Sequence, residues 1–449
     1  MGSPLDGEAG EVLGVGADGD AGVTPQRFAR LAPLLVAFAS LEVLTQVVTA
    51  AAGLLVVRVL PVAEFAVYAI AVSVQASLAV LSDIGISTLL LSRAGHHSND
   101  ELRLAKILTA ARALRFRLFA VVSLAAAPLL WWSLSATKPS LAAWAVILGL
   151  VLATVALQVS ATVDGTMALA LLRSVRYQGA LLSGSLVRLV GVLVVLRRVP
   201  TSWAGLIINL CGTAAQALYL RSFIRRLLPG EVDADPEDTL AFRGGVRSQL
   251  INAAYYAFSS QITLWLVGLL ANSRTVAEVG ALGRISSILV LAQGGVLALV
   301  APRIARYGDR RLLLRRYVQV LSLAFGACTS VFVLSVIYPQ VFLWLIGPKY
   351  SGLESLLPLA MGGTLLYALA VTVYSLNAAR GWIEEAWVGV PLTLVLQAAS
   401  LLVLDVSRIR DALLFGFSSS LPPLVVHSWI AVRRMRREFS RGSFSSVSS

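Results

Sequence analysis

Charge is what this sequence has least of. Only 14% of its 449 residues are Asp, Glu, Lys or Arg, while 57% are hydrophobic, and the mean hydropathy is +0.80. Soluble domains carry about 25% charged residues, and none could bury this much apolar surface. A chain that crosses a bilayer many times exposes it to lipid instead. Cysteine is nearly absent. Cys211 and Cys328 lie far apart in apolar segments, which excludes a disulfide framework or a cysteine metal site and leaves both as small packing residues. Histidine is as scarce: His96 and His97 share one loop and His427 stands alone in an apolar run, so no histidine metal cluster forms, and His427 is readable as a satisfied packing residue or a proton carrier. Lysine supplies three of the 37 basic residues. This bias towards arginine lowers the information in any single exposed arginine.

The signatures of catalysis are missing too. No nucleophile–base pattern occurs. "GVGADG" (14–19) has the glycine spacing of a dinucleotide loop but neither the strand before it nor the helix after it. Asp233-Ala234-Asp235 is an acidic pair within an acidic linker, with no strand pattern around it. The expectation is a protein that is not an enzyme, uses no cofactor or metal, and binds no nucleic acid.

What is there is a series of long apolar runs. About 20 such residues cross a bilayer. Twelve candidates are found near 32–57, 66–90, 117–136, 141–163, 180–197, 202–222, 249–271, 279–301, 318–341, 355–378, 385–404 and 411–432. No strand alternation appears, and a lipid-exposed backbone must satisfy its own hydrogen bonds, so the spans are helices. With both termini on the cytoplasmic side, the cytoplasmic segments hold 27 of the 37 Lys and Arg residues and the opposite loops eight; Arg188 and Arg284 fall inside helices. That asymmetry is the positive-inside signal and implies a multi-pass protein of the cytoplasmic membrane.

The two halves echo each other. "TQVVTAAAGLLVVRVLPVAEFAVYAIAVS" (45–73) aligns with "SQITLWLVGLLANSRTVAEVGALGRISS" (260–287), matching Gln46 to Gln261, Gly53-Leu54-Leu55 to Gly268-Leu269-Leu270 and Val62-Ala63-Glu64 to Val276-Ala277-Glu278. The matches fall on the first and seventh spans and the loops after them. The expected fold is therefore all-α, with two six-helix pseudo-repeat lobes around a central cavity. The expected boundaries are a disordered acidic, Gly-rich tail over 1–26, an N-terminal lobe over 27–226 and a cytoplasmic inter-lobe linker over 227–245. A C-terminal lobe over 246–433 and a basic, Ser-rich tail over 434–449 follow.

Polar residues inside the spans are the candidate site. The first span carries Glu42, Thr45, Gln46 and Thr49 on one face. The seventh carries Asn252, Tyr255, Tyr256, Ser259 and Thr263, with Gln261 between them. Arg284 and Ser287 share a face of the eighth span, Tyr367 and Tyr374 one of the tenth, and Arg188 lies in the fifth. Polar side chains between membrane helices also serve as packing glue. An intramembrane ionisable group marks a cavity or pathway by default, which favours Glu42 and Arg284. Arg188 stands open between a cavity role and snorkelling towards the nearby basic loop. Asp83, next to Gln75 and Ser82 in the second span, and Asp164 are readable as helix-end caps or partners of loop arginines.

Arg58-x-Leu60 with Glu64-Phe65 and Tyr68, Asp83-x-Gly85, the basic loop led by Pro302, and Gly347-x-x-Tyr350 follow one another along the chain, and together they resemble the polysaccharide flippases of the multidrug/oligosaccharidyl-lipid/polysaccharide exporter superfamily. "RVLPVAEFAVYAIAVS" is similar to that family's Arg-x-Leu, acidic-aromatic, then Tyr pattern, carried by Arg58, Leu60, Glu64, Phe65 and Tyr68, with Ala66 where glycine is common. "LSDIGISTLLLSRAG" resembles its Asp-x-Gly at Asp83 and Gly85. "LVAPRIARYGDRRLLLRRYVQ" resembles its proline-led basic loop, and "LIGPKYSGLESLLPLA" its Gly-x-x-Tyr at Gly347 and Tyr350. The order of these patterns across residues 27–435 carries the resemblance, since each alone is short.

The resemblance implies flipping or export of a lipid-linked oligosaccharide by alternating access, without ATP, through a cationic inter-lobe cavity. It implies the bilayer and a lipid-linked saccharide as partners, and a polysaccharide polymerase or glycosyltransferases alongside. On that reading Arg284, Arg188, Gln46, Asn252, Tyr255, Tyr256, Gln261, Tyr367 and Tyr374 form the substrate cavity, and Glu42 and Asp83 couple transport to an ion. Guanidinium pairs with phosphate bidentately, and tyrosines offer faces for sugar rings. A drug/cation antiporter of the same superfamily is the nearest alternative. A membrane-embedded glycosyltransferase or polymerase is a more distant one.

Overall fold

The computed structural model describes residues 25–97, 100–134, 140–230, 232–259, 261–304, 310–380, 382 and 385–441. The side chains of 25–39, 248, 252, 295–304, 310, 311, 379 and 438–441 lie outside the description. Most of the N-terminal tail, the last eight residues, part of the basic loop after the eighth span and the side chain of Asn252 therefore lie outside the described residues.

The described chain is helical throughout and carries no strand. Eleven helices are long and apolar enough to cross a membrane, or twelve when one bent pair counts as a single span. In the N-terminal half these are α1 (Pro25–Val59), α2 (Val62–Leu81), α4 (Glu101–Ser133), α5 (Leu141–Ala170), α6 (Ser174–Gly191, continued by a π-turn over Val192–Leu196) and α7 (Ser202–Leu227), with a short α3 (Ile86–His96) after α2. The C-terminal half holds α8 (Pro236–Ser259), α9 (Ile262–Leu270), α10 (Ser273–Ile304), α11 (Arg310–Ile337), α12 (Pro339–Ile346) and α13 (Leu357–Ala379). It ends with α14 (Gly389–Val403), α15 (Ile409–Ser419) and α16 (Leu421–Arg441).

Three expected spans are interrupted. The second ends at Leu81 rather than near residue 90, because Gly85 takes a left-handed φ of +78° and Ile84 one of +37°. There Asp83 Oδ1 accepts from the backbone N–H of Ser87 at 3.1 Å and from its hydroxyl at 2.8 Å, an Asx-type alternative to the helical ladder. The seventh breaks between α8 and α9, which are inclined by 49°; the break follows Ser259, where α8 ends. The twelfth pauses at Ser420, ahead of Pro422 and Pro423, whose rings cannot donate to the preceding turn. The stretch read as a linker turns helical at Pro236, a favoured first helical residue.

Within the N-terminal half α5 and α6 pack on α7, and α1 on α6; within the C-terminal half α10 packs on α11 and α13, and α13 on α16. α10 also lies against α1 and α2, so it joins the halves. The largest buried cluster runs through this junction, with Phe65, Ile70 and Val74 of α2 facing Val276, Leu282 and Ile285 of α10. Close approach is permitted at Gly280, where a Cβ would come 3.1 Å from that of Ala69. Between helices in lipid, contact of this kind supplies the association energy that water supplies elsewhere.

Candidate functional site

A cavity of about 800 Å³ opens in the C-terminal half, walled by α8, α9, α10, α13, α15 and α16 and closed on one side by Ala69, Val72, Ser73 and Ala76 of α2. Small residues make the room: Gly280 and Gly283 on α10, Gly363 on α13 and Gly416 on α15. Two buried bonds hold the α2 wall to the bent helix. Ser77 Oγ donates to the Ala257 carbonyl at 2.7 Å, and Trp265 Nε1 donates to Ser73 Oγ at 2.9 Å.

Arg284 lines this cavity from α10. Its stem passes over Gly53 of α1, where a Cβ would lie 4.0 Å from both Cδ and a terminal guanidinium nitrogen. Among the described residues no carboxylate pairs with it, and no Asp, Glu or Lys lines the cavity. A half-buried guanidinium without a counter-ion inside a membrane protein is costly unless water or an anion meets it.

An aromatic ladder lines the same cavity. Tyr255 and Tyr256 meet edge to face at 5.3 Å, Tyr256 lies 6.4 Å from Tyr374, and Tyr374 lies 5.1 Å from His427. Tyr367 and Gln261 complete the predicted residues that the structure gathers here. The break between α8 and α9 presents Ser259, Gln261 and Thr263 to the same space.

The remaining predicted residues lie elsewhere. Arg188 sits between α6 and α7, donating to Thr213 Oγ1 at 2.9 Å, over Gly212, where a Cβ would come 2.4 Å from its Cγ. Nearby, Asn209 Nδ2 donates to Gln75 Oε1 at 2.9 Å, and Thr49 shares a hydrogen bond with Ser185 at 2.8 Å. Gln46 is exposed on α1, and Glu42 is half-buried one turn earlier. Asp83 faces Arg115 at 3.3 Å, at the opposite end of α2 from Arg58 and Leu60. Asp164, fully buried, is paired with Arg112. That same end carries Arg93 on Asp238, and Arg103 on both Asp235 and Asp238.

At the other end, two of the quoted sequence patterns meet across the halves. Arg58 donates to the Trp344 carbonyl at 3.3 Å and lies over its ring at 5.0 Å, while Lys349 donates to the Leu60 carbonyl. Gly347, at a φ of +101°, lets that loop turn in against Arg58. Burial pushes the Lys349 ammonium below its ordinary value. Glu64 Oε2 accepts from the first N–H of α7, at Ser202, at 2.6 Å, which places a carboxylate on a helix N-terminus.

Sequence reasoning noted His427 but did not place it in the site. A lone histidine in an apolar run has no partner at helical spacing, and its neighbour Tyr374 lies on a different helix. The glycines that open the cavity were equally silent, because their meaning depends on which helix faces them.

No protein-family model matches this chain, and no curated protein does. Solved structures do match in fold. An inward-facing multidrug resistance MATE family transporter of the MOP superfamily aligns over 92% of this chain and 100% of its own, with TM-score 0.67 at 15% identity. The lipid II flippase MurJ in an inward closed conformation aligns over 89% and 87%, with TM-score 0.66 at 11% identity. A MOP superfamily transporter from Pyrococcus furiosus, for which reversed polarity of the binding pocket suggests a different function, aligns over 89% and 95%, with TM-score 0.59 at 16% identity. The chain has the multi-pass helical fold of these transporters.

Proposed function

We propose that this protein is an alternating-access transporter that flips or exports a lipid-linked oligosaccharide across the cytoplasmic membrane, head group through the cavity and lipid tail in the bilayer. The observation that carries this reading is the polarity of the cavity: an arginine with no carboxylate partner among the described residues, an aromatic wall, and no Asp or Glu among its described lining residues. A diphosphate head suits that chemistry. Arg284 would meet phosphate oxygens through paired N–H donors, and Tyr255, Tyr256, Tyr367 and Tyr374 would offer faces and hydroxyls to the sugars. A cationic drug would meet the wrong charge there, which weighs against the antiporter alternative. Both termini on the cytoplasmic side, as the arginine distribution suggests, would put the Arg93–Asp238 end at the cytoplasm.

The test is flipping of a labelled undecaprenyl-diphosphate saccharide in proteoliposomes. Wild type moves the lipid. Arg284→Ala, at equal protein level and thermal stability, slows it by about tenfold or more, the kinetic equivalent of one lost charge-assisted hydrogen bond of about 1.5–3 kcal/mol. Extrusion of organic cations by wild type, with no movement of saccharide lipid, would replace this reading with the antiporter.

A further inference from the structure

The cavity holds one ionisable ring that the proposed transport leaves unused. His427 lines it from α16 with only 3% of its surface exposed. Its backbone carbonyl accepts from Asn377 Nδ2 at 2.9 Å, and Asn377 Oδ1 accepts from the Tyr317 hydroxyl at 3.0 Å. Those bonds fix the backbone. The ring rests at the end of the tyrosine ladder, and among the described residues neither ring nitrogen has a hydrogen-bond partner.

We infer that His427 is the protonatable half of a two-cation anion clamp whose permanent half is Arg284, so that binding a diphosphate-class anion in the cavity takes up a proton on the imidazole. This inference rests on the anionic-substrate reading above and adds to it the group that couples binding to protons. A diphosphate brings more charge than one guanidinium offsets. Arginine holds its proton at all working pH values, and a tyrosine hydroxyl holds its own up to about pH 10. Imidazole alone among these side chains gains and loses a proton near neutrality, and when protonated it donates from both nitrogens. A carboxylate proton carrier or a sodium site in this cavity would need an Asp or Glu, and the described lining has neither.

The helices packed on α16 leave this assignment intact. α13 contributes Tyr367 and Tyr374, with Arg380 just past its end; α11 contributes Tyr317, Arg315 and Arg316; α15 contributes Arg410 and Asp411; α14 contributes no charged residue. Glu385, ahead of the turn at Ala386–Val388, is held by Arg433 at 2.9 Å and Arg434 at 3.6 Å, beyond His427 on the same helix. With the cavity empty, a protonated ring would add a second cation to a space that already holds Arg284 uncompensated. With an anion between them, both charges are met. Anion binding and proton uptake are then reciprocally linked.

The experiment titrates the histidine rings of 15N-histidine-labelled protein in nanodiscs, with and without saturating inorganic pyrophosphate. The chain has three histidines, and His427→Asn identifies the resonance in question. Pyrophosphate is expected to move the His427 midpoint upward by about one pH unit or more, leaving His96 and His97 in place. In parallel, calorimetric pyrophosphate affinity in wild type falls by up to about tenfold per pH unit between the free and the pyrophosphate-bound midpoints, beyond the ligand's own titration. His427→Asn and His427→Gln lose this extra slope, whereas Arg284→Ala weakens binding at every pH and keeps it.

A His427 midpoint that pyrophosphate leaves unmoved overturns the clamp. So does an unchanged slope in both variants, or a wild type that binds no pyrophosphate. Competition by undecaprenyl diphosphate in the same nanodiscs shows that the site takes a lipid head group, and its absence shows a soluble diphosphate site; the clamp stands in either case. If pyrophosphate moves the midpoint but reconstituted protein flips no saccharide lipid, the clamp stands and the transport reading falls.

Discussion

Arg115 is 3% exposed along its side chain, and the carboxylate that meets it, Asp83, is also the acceptor that turns the chain at Ser87. One aspartate thus does two structural jobs. Removing its charge leaves a buried cation uncompensated, a change that costs about 3 kcal/mol in comparable pairs. Asp83→Asn is therefore expected to lower thermal stability markedly in detergent, while flipping per folded molecule keeps its ion dependence. A lost ion dependence at unchanged stability would return Asp83 to the coupling role that its place in the second span suggested. At this scale the sequence is half legible. A charge inside an apolar run is visible at once, as Arg284, Arg188 and Glu42 are. The helix azimuth and the neighbour it meets are not: Arg284 faces the cavity, while Arg188 hydrogen-bonds Thr213 on α7.

The helices themselves follow from composition, since a run of 20 apolar residues has one way to satisfy its backbone in lipid. Their interruptions were less visible. The turn after Leu81 needed Gly85 and Asp83 to be weighed against an apolar run that continues to Leu91, and the break near Gln261 carries neither Gly nor Pro. Helix packing was the least visible, because a glycine reads alike wherever it falls. Gly184 of α6 and Gly212 of α7 lie back to back, and a Cβ on either comes 2.7 Å from the carbonyl oxygen of the other. Backbone cannot yield there as a flexible side chain does. Gly184→Ala is expected to cost about 1–3 kcal/mol of stability by overpacking. Gly149→Ala, where nothing lies within 4 Å, is the control and should match wild type or exceed it slightly, since alanine is the better helix former. Thermal unfolding of the two variants in one detergent reads the difference.

Across the whole molecule the halves are tied at both ends. At one end Arg58 and Lys349 reach Trp344 and Leu60; at the other Arg93 and Arg103 reach Asp238 and Asp235 at the start of α8. The two ties are separated by the length of α2, about 30 Å at 1.5 Å per residue. If the halves rock, as the proposed transport requires, they loosen one tie at a time. The tie at Asp235 carries a pH signature. The backbone N–H of Glu237 holds this carboxyl below the ordinary aspartate value, and the bond from Arg103 pushes the same way. A carboxylate whose folded-state value is depressed contributes stability that is present above its unfolded value and lost as pH falls through the folded one. This end should therefore stay closed at pH 5 and loosen only below about pH 4, the ordinary aspartate value. Hydrogen exchange over residues 101–108 and 236–244 reads that opening. Wild type should remain protected at pH 5, whereas Asp235→Asn combined with Asp238→Asn should exchange faster even at pH 7, with the Arg58 end unaffected. Equal protection in the double variant at pH 7 would mean that the apolar packing of α8 on α2 and α4 closes this end, and that the ion pairs only decorate it.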